Sequence, residues 1–285
     1  MATRLVAAGH DILACDLRPE LGGRFREAGG RVAATVADVA AECAVVLASL
    51  PTPQAVEKVA LGEGGIASGG AVEIFVDLST TGPAVSKQVG AALGEKGILA
   101  IDAPVSGGVH GAGKGALSIM ASGQRSAFDR VEGLLSHLGK NVFYVGPEAG
   151  MGQMVKLINN MLSATALAAT CEALAVAIKA GLDPDVVLSV LNKSTGKSSA
   201  TEHKVPECVL PGKPIGFGLD LSFKDISLFV KEGEGLQVPM WSGNLTRQIW
   251  QHALSTGGPD QDMMGVAQCI EKWAGVRLYG ARPAN

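Results

Sequence analysis

Apolar positions fall into two regimes along the chain. In the first half, short continuous apolar runs alternate with stretches of helical spacing. The runs are ILACDL (residues 12–17), CAVVLASLP ending at Pro51, AVEIFVDLST, ILAIDAPVSGG, ALSIMASG and NVFYVG. Between them lie PQAVEKVAL, PAVSKQVGAALGEKG and SAFDRVEGLLSHLG, and an earlier helical stretch around Gly22 to Ala28 leads into RVAAT. Unbroken Val/Ile/Leu strands separated by amphipathic helices predict a doubly wound α/β domain, its largely parallel sheet covered on both faces.

After Gly146 the pattern changes. Residues 151 to about 181 read as one helix of about 45 Å at 1.5 Å per residue, stopped by the Ala180-Gly181 step and Pro184. DPDVVLSVLN, LSFKDISLFVKEGEGL, WSGNLTRQIWQHAL and MGVAQCIEKWAGV read as further helices, KSTGKSSATEHK as a loop and GARPAN as a loose tail. The expected division is an α/β domain over residues 1–147 and an all-α domain over 148–285. Residues 161–180 approach the length of a membrane span. Glu172 interrupts them and small residues outnumber large ones, so a helix buried in a soluble protein is the expectation.

Composition narrows the function. Of 285 residues, 47% are apolar and 18% charged, enough for a sizeable core. The formal net charge of -3 offers no basic surface for nucleic acid, so a small molecule is the expected partner. Five cysteines (Cys15, Cys43, Cys171, Cys208, Cys269) are odd in number and form no C-x-x-C pair. They point to a reducing, cytoplasmic setting and away from a zinc site. The start, MATRLVAAGHDILACD, does not read as a leader. The five histidines form no ligand-spaced pair, so no metal is expected.

An open parallel sheet binds ligands beyond the carboxyl ends of its strands. Asp16 ends the first run. An acid there suits ribose hydroxyls and repels a 2′-phosphate, which favours NAD, while Arg18 nearby could pair with that phosphate and admit NADP. Leu50-Pro51 and Ser79-Thr80 end two further strands and offer backbone and hydroxyl groups, although both are also ordinary turn chemistry. In Asp102-Ala-Pro-Val-Ser-Gly-Gly108 a strand runs into Ser106, Gly107 and Gly108. Glycines let backbone N–H groups approach an anion, and Ser106 adds a donor, which suits a substrate carboxylate as well as a tight turn.

In GMGQMVKLINN, Gly150 and Gly152 open the long helix, and Gly152, Lys156 and Asn160 share one face at i, i+4 and i+8. A lysine beside a cation or in an apolar site loses pKa and becomes a proton shuttle. Asn160 could hold that lysine or bind a substrate oxygen. Lys224-Asp225 starts a helical turn after LDLSF and reads equally as a second lysine reaching the site or as a surface ion pair.

DAPVSGG, then GxGxxxKxxNN, then FKDxxL, in this order and spacing, resemble the β-hydroxyacid dehydrogenases, a family that includes 3-hydroxyisobutyrate dehydrogenase and tartronate semialdehyde reductase. The resemblance spans nearly the whole chain. It implies a Rossmann domain followed by a helical domain like that of 6-phosphogluconate dehydrogenase, built around one long helix shared between domains. It implies Lys156 as the catalytic acid/base. It further implies Ser106, Gly107, Gly108 and Asn160 at the substrate, and Leu50, Pro51, Thr80 and Lys224 along the cofactor. Family members usually begin with a strand and a G-x-G-x-M-G loop leading into the helix that here reads MATRLVAAGH. The expectation is therefore that the first strand and its pyrophosphate loop are absent, through an internal start at Met1 or a natural truncation. A gap would then separate the 12–17 and 43–50 runs, and NAD would bind more weakly than with about 15 upstream residues restored. The expected activity is oxidation of a small β-hydroxy acid, or reduction of its semialdehyde. A glyoxylate- or succinic-semialdehyde-type reductase is one competing reading. Another is a non-catalytic or cofactor-impaired relative that acts through its helical assembly domain. The apolar long helix predicts a homo-oligomer, dimer or tetramer.

Overall fold

The computed structural model describes residues 1–258 and 261–279; the GARPAN tail lies outside the described residues. Two compact units divide the chain, Met1–Lys156 and Leu157–Asn285.

The first unit opens with α1 (Ala2–Ala7), β1 (Leu13–Ala14), α2 (Pro19–Glu27) and β2 (Arg31–Val32), and continues through α3 (Val36–Glu42), β3 (Val45–Ala48) and α4 (Pro53–Leu61). Then come β4 (Ile74–Asp77), α5 (Pro83–Gly94), β5 (Leu99–Asp102), β6 (Val105–Ser106), α6 (Gly108–Lys114), β7 (Leu117–Gly123), α7 (Arg125–Ser136) and β8 (Gly139–Gly146). Local chemistry sets several starts. Thr35 and Asp38 form a reciprocal capping box on α3. The Thr52 hydroxyl caps α4 by accepting from Ala55 N–H, with Pro53 in the first turn.

β3, β4 and β5 are parallel and in register, with Ala48 opposite Asp77 and Asp77 opposite Asp102. The expectation of a largely parallel sheet needs one correction, because β7 runs antiparallel to both β5 and β6 while β8 lies parallel to β7. After β5 the chain spends its residues on β6 and the short α6 instead of a crossover helix, so β7 returns in the opposite direction. α6 itself escapes a pattern reading because three of its seven residues, GVHGAGK, are glycine, the poorest helix former after proline. β1 pairs only with β2, and no ladder among the described residues joins β1 to β3, so the sheet is interrupted between the 12–17 and 43–50 runs.

Alternation along β4 feeds a core on each face of the sheet. Ile74 and Val76 pack with Ile101, Leu117, Ile119 and the α7 residues Phe128, Val131 and Leu135. Phe75 points the other way, into a cluster with Val46, Val56 of α4, and Val89 and Leu93 of α5. Helices on both faces of one sheet make this a doubly wound α/β unit.

The second unit takes most of α8 (Met151–Lys179), then α9 (Pro184–Leu191), a π-helical segment (Ala200–Val209), α10 (Leu219–Gly235), α11 (Trp241–Gly257) and α12 (Met264–Ala274). Asp183 caps α9 by accepting from the N–H groups of Asp185 and Val186. The core gathers Leu167, Cys171 and Leu174 of α8 with Ile226, Val230, Trp250, Val266 and Ile270, all nearly or fully buried. The segment read as a loop through Lys204 is helical from Ala200. Its wide π turns accommodate Pro206, which has no N–H for a tighter ladder. By length and composition α8 could cross a membrane, yet half of its most apolar window is buried inside the structure.

The two units part inside α8, beyond the boundary read at residue 147, because hydrogen bonds tie the first turn of that helix to the ends of the strands.

Candidate active site

Three parallel strands end side by side, and the residues just past them carry the polar groups. Beyond β3 the Leu50 N–H donates to the Ser79 hydroxyl at 2.8 Å. Beyond β4, Asp77 accepts from the Ser79 N–H at 2.9 Å and the Thr81 hydroxyl at 3.1 Å. Leu50, Ser79 and Thr80 therefore sit on one bonded edge, with Pro51 exposed beside them.

Past β5 the carboxylate of Asp102 turns inward. Only 3% exposed, it accepts from Gly150 N–H at 2.7 Å, the Ser122 hydroxyl at 2.8 Å and Gln153 N–H at 3.0 Å. Ser122 Oγ in turn accepts from Gly152 N–H at 2.9 Å. The fully buried Gln153 completes the tie. Its Oε1 accepts from the N–H groups of Thr81 (2.9 Å) and Gly82 (3.2 Å), and its Nε2 donates to the Ser79 carbonyl (2.9 Å). Three N–H groups at the start of α8, orphans in any helix, are thus satisfied by β5 and β7. Burial raises the pKa of both Asp77 and Asp102, and the hydrogen bonds they accept oppose that rise.

Gly152 is glycine for packing. A Cβ there would lie 2.1 Å from the Met120 carbonyl oxygen and 2.9 Å from Asp102 Oδ2, so any side chain would push α8 off β7. The two glycines after Ser106 have a different reason. Ser106 closes β6 opposite Ser118, and Gly107 and Gly108 follow at φ +127° and +61°, conformations that L side chains rarely adopt.

Along α8 the stripe begun by Gly152 continues to Lys156, which is only 7% exposed, and to the half-buried Asn160. Asn160 Nδ2 donates to Asp225 Oδ2 at 2.6 Å, and Lys224 Nζ lies 3.1 Å from Asp225 Oδ1. This corrects two expectations. Lys224 and Asp225 lie inside α10, which starts at Leu219, and not at a helix start. Their ion pair is not on the surface either, since Asp225 is 1% exposed.

Asp16 lies just past β1 and is held by Arg18, whose backbone N–H (2.9 Å) and Nε (3.1 Å) donate to Oδ1 and whose second guanidinium nitrogen donates to Oδ2 (3.2 Å). These contacts keep the Asp16 pKa low. The carboxylate is thus ionised and half-exposed, and oxygen acceptors of this kind fit ribose hydroxyls.

Sequence reasoning missed Gln153 and Ser122 and gave Asp102 no role of its own. A glutamine between Gly152 and Met154 in an otherwise apolar turn was the available signal for Gln153. Ser122 gave none.

A doubly wound unit with polar strand ends, running into a long helix that carries a buried lysine and continues into a helical unit, has the layout of a two-domain nicotinamide-dependent oxidoreductase. Residues 1–146 match the family described as the NAD binding domain of 6-phosphogluconate dehydrogenase. Residues 150–270 match that described as NAD-binding of NADP-dependent 3-hydroxyisobutyrate dehydrogenase. The 2-(hydroxymethyl)glutarate dehydrogenase of Eubacterium barkeri is 33% identical over 99% of this chain and 94% of its own. The mitochondrial 3-hydroxyisobutyrate dehydrogenase of Rattus norvegicus is 34% identical over 95% of this chain and 83% of its own. Among solved structures, a Mycobacterium tuberculosis 3-hydroxyisobutyrate dehydrogenase with L-serine superposes with a TM-score of 0.85 at 28% identity, covering 94% of both chains. The chain belongs to the β-hydroxyacid dehydrogenase family and is an NAD(P)-dependent oxidoreductase of the CH–OH group.

Proposed function

We propose that this enzyme interconverts a small β-hydroxy acid and its semialdehyde, with Lys156 as the proton donor and acceptor. The observation that carries this reading is the placement of Lys156: a buried lysine on a helix whose first turn is bonded to the cofactor-side strand ends through Asp102, Ser122 and Gln153. When bound, the nicotinamide ring takes or supplies the hydride. Asp16 would hold the adenosine ribose, with Leu50, Pro51, Thr80 and Lys224 along the cofactor. Ser106, Gly107 and Gly108 would hold the substrate carboxylate, the two glycines at positive φ adding no side chain beside their backbone N–H groups. Lys156 takes the hydroxyl proton during oxidation and returns it during reduction, polarising the oxygen as charge develops. Asn160, oriented by Asp225 through one amide hydrogen, keeps its second for a substrate oxygen. The test is steady-state assay of a panel of hydroxy acids with NAD and NADP. Cofactor binding without turnover of any member would refute the activity and favour the non-catalytic reading.

NAD is the proposed preference, and a prediction follows from Asp16. Asp16→Asn removes the charge facing a 2′-phosphate and leaves Arg18 without its carboxylate partner. The ratio of kcat/KM for NAD over NADP should fall by about tenfold. An unchanged ratio would place cofactor choice elsewhere.

Assembly belongs to the same reading. Ile158, Leu162, Ala169, Ala173 and Val176 follow one another at steps of four, seven, four and three residues and are all exposed, with Leu162 at 61% and Val176 at 69%. An apolar stripe on one helix face is the usual seam for a second copy of the same chain. Light scattering at micromolar concentration should report a dimer or larger. Leu162→Glu should shift the population toward monomer, whereas monomer alone in the wild type would overturn the assignment. The setting proposed is cytoplasmic, in keeping with five free cysteines.

A further inference from the structure

The polar stripe of α8 does not end at Asn160. Ser163 continues it, and one turn later the same face becomes core, with Leu167, Cys171 and Leu174 fully buried. At this change from polar to apolar, the π-helical segment delivers a cation. Lys204 Nζ donates to Ser163 Oγ at 2.6 Å and to the Ser163 carbonyl at 3.4 Å. A lysine ammonium has three hydrogens, and among the described residues no other acceptor takes the third and no carboxylate pairs with Lys204. The acids of its own segment are engaged elsewhere, Glu202 with Lys197 at 2.8 Å and Glu207 with His203 at 3.1 Å.

A largely buried ammonium without a counter-ion is costly. Burial lowers the amine to about 8, and the Cys208 thiol opposes this. A structural tie to Ser163 alone would be served equally by a neutral donor such as glutamine. What a lysine adds is charge, and the cost of burying it is offset when a ligand brings the opposite one. A part-buried charge with a displaced pKa is where a functional site is sought first.

We propose that Lys204 is a specificity residue that receives a second carboxylate, at the end of the substrate remote from the reacting carbon. The inference rests on the dehydrogenase reading, in which Asn160 faces the reacting end. From Asn160 to Ser163 the helix rises about 4.5 Å. Four carbons separate the reacting hydroxyl oxygen from the carboxylate at the end of a carboxyethyl branch, and at about 1.5 Å per bond they cover that rise. The substrate class is therefore a β-hydroxy dicarboxylate in preference to a monocarboxylate with a short alkyl branch.

Two compounds isolate the effect, because they share the reacting hydroxymethyl group and its adjacent carboxylate. 2-(Hydroxymethyl)glutarate carries a carboxyethyl branch where 3-hydroxyisobutyrate carries a methyl. Steady-state kinetics on the wild type, Lys204→Gln and Lys204→Arg should show three things. The wild type prefers the dicarboxylate. Lys204→Gln loses at least tenfold of that preference in kcat/KM, mainly through KM. Lys204→Arg, which keeps the charge, retains most of it. Equal losses on both substrates, or no wild-type preference, would overturn the role of Lys204 while leaving the dehydrogenase reading intact. A wild type that turns over no hydroxy acid would overturn both.

Discussion

Replacing Lys156 with alanine is expected to lower turnover by at least two orders of magnitude while cofactor affinity is largely kept. The size follows from the role: a positioned general acid/base contributes about 10²–10⁴ in rate. The sparing of cofactor follows from position. Asp16, Leu50, Pro51 and Thr80 lie past β1, β3 and β4, whereas Lys156 stands on α8, and its removal breaks none of the bonds that hold the start of that helix. Lys156→Arg separates charge from proton transfer. It keeps the positive charge but, because a guanidinium stays protonated, cannot give up a proton near neutrality, so it should recover little of the lost rate. Turnover measured beside an NADH fluorescence titration checks both halves. Near-normal turnover in Lys156→Ala would remove the residue from the mechanism. Substantial rescue by arginine would recast it as an electrostatic anchor.

The legible parts of this molecule are those in which period and punctuation agree. The α/β unit showed as apolar runs separated by amphipathic stretches, and Pro53 and Pro83 stand in the first turns of α4 and α5. The extent of α8 was readable because Gly150 precedes it and Gly181 and Pro184 follow it. Three things were hidden for separate reasons. The strand direction of β7 depends on how the chain spends residues 103–116, which periodicity does not encode. The helicity of Ala200–Val209 was masked by Pro206 and by a Ser/Thr-rich approach that favours loops. The site was readable as residue types but not as bonds. Lys156, Asn160 and Ser106 stood out as polar groups at helical or glycine-flanked positions. That Asp102 faces the start of α8, and that Asp225 is buried against Asn160, are long-range pairings between residues 48 to 65 positions apart, and a single sequence carries no record of them.

Asp102→Ala is expected to destabilise the first unit by about 3 kcal/mol in chemical denaturation. One carboxylate satisfies the Gly150 and Gln153 N–H groups and the Ser122 hydroxyl. Each buried donor left without an acceptor costs about 1–3 kcal/mol. Removing the carboxylate also removes the burial penalty that raises its pKa, so the three losses do not simply add, and the net is set nearer to one or two of them. Asp102→Asn distinguishes acceptor geometry from bulk. The amide preserves volume but turns an NH2 group toward backbone N–H donors on one side, so it should recover less than half of the loss. The functional consequence follows from the same bonds. With the first turn of α8 frayed, Lys156 loses its fixed position, and turnover should fall further than the fraction of unfolded protein explains. Alanine at 102 with stability within 1 kcal/mol of wild type and full turnover would show that the start of α8 is held by something other than the Asp102–Ser122–Gln153 bonds.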